Sequence, residues 1–257
     1  MFKNLYNYRE LLKTNVKKEI RGRYKGSFLG VLWSFINPLL QVLVYAIVFP
    51  YLMGAGVDNY LEYLVTGIIP WNFFLMTVSQ GITTIKSNAG IIKKVYFPRE
   101  ILPISVVVSG LINFLISCVI IVIFCIGLGT GVSWQLIFLP FIAIIQTILI
   151  LGIVFALCGV NAYVQDVEYI VGFALNMLFY GTPIIYELSQ FSSAGILYTL
   201  VKLNPMTQII DAYRDIFLFH NVPNIGNLTL VAIVSIIILF IGYQIFKKLE
   251  FGFAEEL

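Results

Sequence analysis

Residues 101–165 read ILPISVVVSGLINFLISCVIIVIFCIGLGTGVSWQLIFLPFIAIIQTILILGIVFALCGVNAYVQ, and none of these 65 positions is Asp, Glu, Lys or Arg. A helix needs about 20 apolar residues to cross a bilayer, so this run is long enough for two membrane-spanning helices. The segment GLGTGVSW (127–134) separates them, because glycine-rich sequence beside a Trp is typical of a turn at a membrane surface. We therefore predict spans at residues 104–128 and 136–163.

The composition places the whole chain in the same class. Of its 257 residues, 60% are hydrophobic and 11% are charged, and the mean hydropathy is +0.93. Soluble domains are about 45–50% apolar and about 25% charged. This balance excludes a soluble enzyme, a nucleic-acid-binding protein and a disordered protein. We predict an all-α, polytopic membrane protein that forms a single domain over residues 1–257.

Four further charge-free runs bring the number of predicted spans to six. They are residues 31–53, 63–85, 169–186 and 228–246. The fifth span, 169–186, is the shortest and contains Pro183. None of the six spans as drawn contains an ionisable carboxylate or amine, which disfavours a proton- or sodium-coupled carrier.

The basic residues predict the orientation of the spans. Eight Lys or Arg residues precede the first span, four lie between the second and third, and two follow the sixth. The other side keeps only Lys202 and Arg214. Because basic residues concentrate in cytoplasmic connections, we predict that both termini lie in the cytoplasm.

Residues 5–24 predict an amphipathic helix at the cytoplasmic membrane surface. Leu12 and Val16 belong to an apolar stripe, and Lys13 and Arg21 lie off it. Such a helix suits contact with anionic lipid. The alternative is a basic leader that only sets the topology.

The connection at residues 86–103, KSNAGIIKKVYFPREILP, is more apolar than a simple connector requires. We predict a short helix at residues 86–99 that docks on a cytoplasmic partner. The alternative is a connector that only lies at the membrane surface. The residues assigned to docking are Ile91, Ile92, Lys93, Lys94, Val95, Phe97, Pro98 and Arg99.

Two apolar pieces within residues 196–219 are too short to span the membrane. Asn204-Pro205 predicts the start of the second piece, with Asn as N-cap and Pro at the first helical position. Ile209, Tyr213, Ile216 and Phe217 then share one face. We predict two short helices on the external face, with Arg214 paired locally to Asp211 and Asp215.

Motifs for catalysis and for ATP or metal binding are missing from the sequence. There is no G-x-x-x-x-G-K-[ST], H-E-x-x-H or G-x-S-x-G, and Cys118, Cys125 and Cys158 lie in apolar runs far from the single His220. Aromatic residues make up 15% of the chain. They predict either ordinary packing or a passage on which sugar rings stack. The candidate channel and gate aromatics are Trp33, Trp71, Phe73, Phe74, Phe179, Tyr180, Tyr186 and Tyr213.

Five short motifs follow one another along the chain. They are R-x-R-Y-K-G-S-x-L-G-x-L-W-x-x-x-x-P (21–38), F-P-R-E-x-L-P (97–103), Q-D-V (165–167), F-Y-x-T-P-I-x-Y (179–186) and N-P-M-T (204–207). In this order they resemble the ABC-2 type permeases that export polysaccharides, including O-antigen and teichoic-acid exporters. Where that family usually has Arg-Asp, this chain has Gln165-Asp166, so no role is carried over for the arginine.

The resemblance implies half of a transporter. Two copies of this chain would form the channel, and two separate ATP-binding-cassette subunits would bind ATP and Mg, so this chain would need no cofactor of its own. Residues 86–99 would be the coupling helix, 5–24 the interface helix and 196–219 the gate helices.

The resemblance also implies a cargo, a glycan linked to polyprenyl diphosphate, and a place in the bacterial plasma (inner) membrane. Arg21, Arg23 and Lys25 would receive the diphosphate, since Arg binds phosphate oxygens in pairs; alternatively, they only anchor the chain. Two other functions stay open. One is an ABC-2 permease for a small lipid or drug, and the other is an intramembrane lipid-carrier enzyme that uses Asp166 and Glu168.

Overall fold

The computed structural model of the chain describes residues 6–24, 26, 28, 30–53, 59–188 and 195–256. Over these residues the chain is built from helices, and no β-strand occurs in them. The all-α prediction is therefore confirmed. The helices are α1 Arg9–Tyr24, α2 Trp33–Met53, α3 Tyr60–Ile82, α4 Thr84–Ser87, α5 Ala89–Ile92, α6 Ile101–Leu128, α7 Leu139–Tyr163, α8 Asp166–Tyr180, α9 Ile196–Leu203, α10 Pro205–Phe217, α11 Ile225–Leu249 and α12 Phe253–Glu256.

Four stretches of the described chain are long and apolar enough to cross a membrane. They are α3, α6, α7 with the 3-10 turn Trp134–Phe138 before it, and α11 with the 3-10 turn Glu250–Gly252 after it. They correspond to the predicted second, third, fourth and sixth spans, with some helix ends shifted by about one turn. In α2, the first predicted span, the apolar helical stretch covers only Ile36–Val48, which is too short to cross a membrane by itself. The count of six spans therefore stays a prediction.

The fifth predicted span, 169–186, is wrong in its extent. Helix α8 has 15 residues and ends at Tyr180. At about 1.5 Å per residue it is roughly 22 Å long, which is shorter than the ~30 Å hydrocarbon core. Pro183 lacks a backbone N–H and cannot continue the helix. The irregular residues 182–186 are buried within the protein, where non-helical backbone is tolerated.

The single helix predicted over 86–99 is also wrong in its extent. The structure has two one-turn helices, α4 and α5, followed by residues 93–100 without helix. Pro98 disfavours the helical conformation at Phe97, which explains why the helix does not continue into this part. We call residues 86–103 the docking loop, and we call the end of the bundle that carries it the loop end.

Helix α3 is the centre of the bundle, and 17 of its 23 residues are buried. It packs against α2, α6, α7, α8 and α10.

The most extensive helix pair in the described chain is α7 with α11. These two helices approach closely at Gly152 and Gly242, since a Cβ at Gly242 would lie 2.0 Å from the carbonyl oxygen of Gly152. Small residues allow such approach between membrane helices.

The two short helices predicted within 196–219 are present as α9 and α10. The Asn204 side chain accepts a hydrogen bond from the Met206 N–H at 3.0 Å, and Pro205 occupies the first helical position, so the predicted start is confirmed. The predicted apolar face of α10 is buried: Ile209, Tyr213, Ile216 and Phe217. Helix α9, by contrast, has no buried residue.

Candidate functional site

A groove of about 640 Å³ runs between α2, α3, α6 and the first turn of α8. It extends from Thr83, at the loop end, to Asn113 and Ser117 in the middle of α6. A polar lining in an otherwise apolar bundle is the property expected of a path for a hydrophilic cargo. The residues around it are Trp33, Asn37, Pro38, Ile69, Asn72, Phe73, Met76, Thr77, Ser79, Gln80, Thr83, Gly110, Asn113, Phe114, Ser117 and Glu168.

Amides and hydroxyls dominate the polar part of this lining, and Glu168 is the one charged residue among the lining residues. Asn72 donates a hydrogen bond to Gln41 of α2 at 3.0 Å, which joins two walls of the groove. The polar residues of α3 were missed by the sequence reasoning. Their signal is a polar stripe at helical spacing, in which Asn72, Ser79 and Thr83 recur seven and four residues apart.

Two walls of the groove meet at Gly110. A Cβ at this position would lie 2.3 Å from the Thr77 hydroxyl oxygen and 3.2 Å from the Phe73 ring. Helices α3 and α6 can therefore approach closely only because residue 110 has no side chain. The Phe73 ring stacks on Phe114 of α6 with centroids 4.9 Å apart, which fixes the contact.

The eight candidate aromatics divide into three groups. Trp33 and Phe73 line the groove, where Trp33 is exposed and Phe73 is largely buried. Trp71, Phe74, Phe179, Tyr186 and Tyr213 are buried, and Trp71 packs its ring 5.4 Å from Phe74 and 5.7 Å from Phe179, measured between centroids. Tyr180 is exposed at the end of α8. The five buried aromatic residues therefore serve in packing. A role in contacting sugar stays a prediction for Trp33 and Phe73.

Arg214, predicted to pair locally in a short external helix, is a buried charge. Its side chain is 2% exposed, and its two terminal nitrogens donate to the carbonyls of Pro183 at 2.7 Å and Ile184 at 3.0 Å. Its guanidinium lies 3.5 Å from the centroid of the Tyr63 ring. Arg214 therefore holds the irregular end of the fifth segment against α3 and α10.

The predicted ion pair of Arg214 with Asp211 is confirmed at 3.6 Å. Burial raises the pKa of Asp211, and the neighbouring Arg214 acts in the opposite direction. Burial also raises the pKa of Asp215, to about 6, and the nearby Asp211 adds to this effect.

The docking loop presents only part of the predicted docking set. Ile92 is 5% exposed and Phe97 is buried beside it, whereas Ile91 is 45% exposed. Both buried side chains belong to a second apolar cluster at the loop end, which also contains Phe155 and Phe253. Their apolar character is therefore explained within this chain. Lys93, Lys94 and Val95 are exposed, and Pro98 and Arg99 are half-buried.

Helix α1 lies against the same end of the bundle. Its continuous part runs from Arg9 to Tyr24 and packs along α6. Residues 6 and 7 are helical as well, and the predicted first residue, 5, lies outside the described residues. Val16 is buried and Leu12 contacts the second cluster, so the predicted apolar stripe faces the protein. Of the proposed diphosphate-binding residues, Arg21 is exposed on α1, and the side chain of Arg23 and all of Lys25 lie outside the described residues.

Asp166 and Glu168, the carboxylates of the enzyme alternative, occupy the first turn of α8. Acidic residues at this position stabilise a helix through its dipole, which gives both a structural role. In the described residues, no group of three or more His, Cys, Asp and Glu side chains is arranged to hold a metal.

A helical membrane bundle with a polar groove suits a permease. The sequence profile of the ABC-2 type transporter family matches residues 10–218, and the chain belongs to this family.

Curated relatives agree with this assignment. The chain is 33% identical to the O-antigen export system permease protein RfbA of Myxococcus xanthus, over 100% of this chain and 99% of the relative. It is 33% identical to a protein of the same name from Klebsiella pneumoniae, over 96% of this chain and 95% of the relative. It is 22% identical to the polysialic acid transport protein KpsM of Escherichia coli, over 91% of each chain.

Proposed function

We propose that this chain is the membrane-spanning permease subunit of an ATP-driven exporter that moves a polyprenyl-diphosphate-linked polysaccharide out of the cytoplasm. The glycan would be of the O-antigen or the teichoic-acid type. The observation that carries the proposal is the groove, because amides, hydroxyls and three aromatic rings can contact a sugar chain without binding it through charge. The full-length similarity to O-antigen export permeases supports the same cargo class.

The proposed assembly contains two copies of this chain and two ATP-binding-cassette subunits that hold ATP and Mg. The exposed side of the docking loop, with Ile91, Lys93, Lys94 and Val95, would contact the ATPase. The chain would lie in the bacterial plasma (inner) membrane, and the charge pattern of the sequence supports a cytoplasmic position for the loop end and both termini. Arg21, with Arg23 and Lys25, would receive the lipid diphosphate at that side.

The test is reconstitution of the chain with its ATPase in liposomes that carry a lipid-linked glycan. We expect glycan transfer across the bilayer that depends on ATP hydrolysis. Hydrolysis-driven transfer of a small lipid without glycan transfer would contradict the proposed cargo. Transfer of sugar to a lipid carrier by the chain alone would contradict the permease function.

A substitution in the groove tests the proposed path. Gln80→Leu removes an amide from the lining at nearly constant volume. A hydrogen bond contributes about 0.5–1.5 kcal/mol, so we expect glycan export to fall by about two- to tenfold. The matched control is Gln244→Leu, since Gln244 is exposed on α11 away from the groove. Equal export by the two variants would contradict a path through the groove.

A further inference from the structure

The last turn of α11 and the residues that follow it fold back under the docking loop. Together they are residues 247–256, and we call this segment the brace. Its aromatic residue Phe253 is fully buried, with its ring centroid 5.5 Å from that of Phe246 in α11 and 6.2 Å from that of Tyr163 at the end of α7. The guanidinium of Arg99, in the docking loop, lies 5.9 Å from the same ring. One side chain thus joins three elements.

An ionic network joins the same elements. Lys247 bridges Glu100 at 3.0 Å and Glu250 at 2.7 Å. The Tyr243 hydroxyl donates to Glu100 at 3.0 Å. The Arg99 guanidinium donates to the backbone carbonyl of Glu250, and the Arg99 N–H donates to the Glu250 carboxylate. Glu100 is fully buried at the start of α6, so its charge is held by the brace and α11.

The path of the brace is sterically fixed as well. The Tyr163 hydroxyl donates to the Leu249 carbonyl at 2.9 Å. A Cβ at Gly252 would lie 2.1 Å from that hydroxyl oxygen, so any side chain there would have to displace the Tyr163 ring. Helix α12 also contacts α5 and the end of α7. The brace is therefore packed into the loop end, between the docking loop and the connection that follows α7.

The docking loop has little helical structure of its own. Its two helices are one turn each, and residues 93–100 are not helical. Its inner side chains, Ile92 and Phe97, pack in the cluster that contains Phe253 and Phe246. The loop has backbone hydrogen bonds of its own, and its contacts with the brace, through this cluster and the ionic network, fix it to α11.

We propose that the brace is a positioning element for ATPase coupling, which fixes the docking loop to α11 so that the two move as one body. This inference rests on the proposed function, since the loop would transmit the movement of a docked ATPase to the permease. Phe253 is its central residue, and Lys247 and Glu250 are its ionic residues.

The first test uses amide hydrogen exchange of the permease alone. Phe253→Ala removes the aromatic side chain beneath the loop, and we expect the amides of residues 89–102 to exchange at least about tenfold faster. Phe251→Ala is the matched control, because Phe251 is two residues away and 88% exposed. Phe253→Leu keeps an apolar side chain and should restore most of the protection. Equal exchange in the Phe253→Ala and Phe251→Ala variants would overturn the proposal.

The second test uses the purified complex with the ATPase at matched protein amounts. We expect Phe253→Ala to hydrolyse ATP within about twofold of the unmodified complex while the glycan exported per ATP falls at least about fivefold, because a loosened loop transmits hydrolysis poorly. An unchanged ratio would show that the brace is only structural and would overturn the proposal. If Phe253→Ala does not accumulate, Glu250→Gln serves for both tests, with the same outcomes.

The two proposals fail differently. If the unmodified complex exports no glycan, the proposed function is wrong. If the unmodified complex exports glycan and the variant keeps its ratio of export to hydrolysis, only the positioning role is wrong.

Discussion

Arg214 shows at the scale of one residue how a charge is accommodated deep in an apolar bundle. Its guanidinium meets two backbone carbonyls, one carboxylate and the face of Tyr63. The carbonyls belong to Pro183 and Ile184, which lie beyond the end of α8 and have no helical partners there. The charge and the irregular backbone therefore satisfy each other.

Arg214→Met is expected to destabilise the protein by about 1–3 kcal/mol for each buried carbonyl that loses its donor, which are those of Pro183 and Ile184. Arg214→Lys should restore only part of this loss, since an ammonium cannot reproduce the planar fork of a guanidinium. The measurement is the thermal unfolding temperature in detergent.

Lys202→Met is the control for Arg214→Met, because Lys202 is an exposed cation on α9. Surface charges of this kind contribute about 0–1 kcal/mol. If both variants lowered the unfolding temperature equally, the structural role of Arg214 would be refuted.

Several residue-level features could not be predicted from the sequence. Arg214 follows Asp211 at the spacing of a helical ion pair, and that local pairing was predictable. Its burial was not, because its principal partners are carbonyls 30 residues away. Ile92 and Phe97 pose the same problem, since their apolar character is equally suited to a partner protein and to the distant Phe253.

At the scale of the helix, the contact between α7 and α11 depends on two glycines. A side chain at Gly242 would meet the backbone of α7, which cannot move aside as a flexible side chain can. In a membrane, where lipid is as apolar as Leu, close packing is what holds such helices together.

Gly242→Ala should therefore separate α7 from α11 and destabilise the protein by about 1–3 kcal/mol, the usual effect of overpacking. Thermal unfolding in detergent measures the change. Gly127→Ala is the control, because Gly127 lies in α6 and a Cβ added there would meet no neighbouring atom within 4 Å. The packing argument requires that the control unfold at or above the temperature of the unmodified protein.

Predictability also differs among the helices. The long apolar runs identified α3, α6, α7 and α11, because only a helix satisfies the backbone in hydrocarbon. The end of the fifth predicted span was harder, since residues 182–186 are buried and mostly apolar without being helical. The polar groove was missed because its residues come from several helices and become neighbours only on folding.

At the scale of the whole molecule, the docking loop has two sides with different tasks. Its inner side belongs to the apolar cluster of the loop end, and its outer side is exposed. Substitutions on adjacent residues can therefore separate folding from assembly.

Ile91→Asp is expected to leave the permease folded and to weaken its co-purification with the ATPase by about tenfold or more, the effect of about 1.4 kcal/mol or more at an interface. Ile92→Asp, one residue away, should instead lower the unfolding temperature and the amount of permease in the membrane, because it buries an unpaired charge. Co-purification and thermal unfolding measure the two effects. The reverse pattern would contradict the orientation of the loop.

The central position of α3 has a consequence for biosynthesis. It is the least apolar of the four long helices and also the most buried. Its partners α6, α7 and α10 all emerge from the ribosome after it. Lipid alone offers poor surroundings for the polar stripe of α3, so this helix gains its final environment only once later segments have been synthesised. The order of translation is in this way part of the folding pathway.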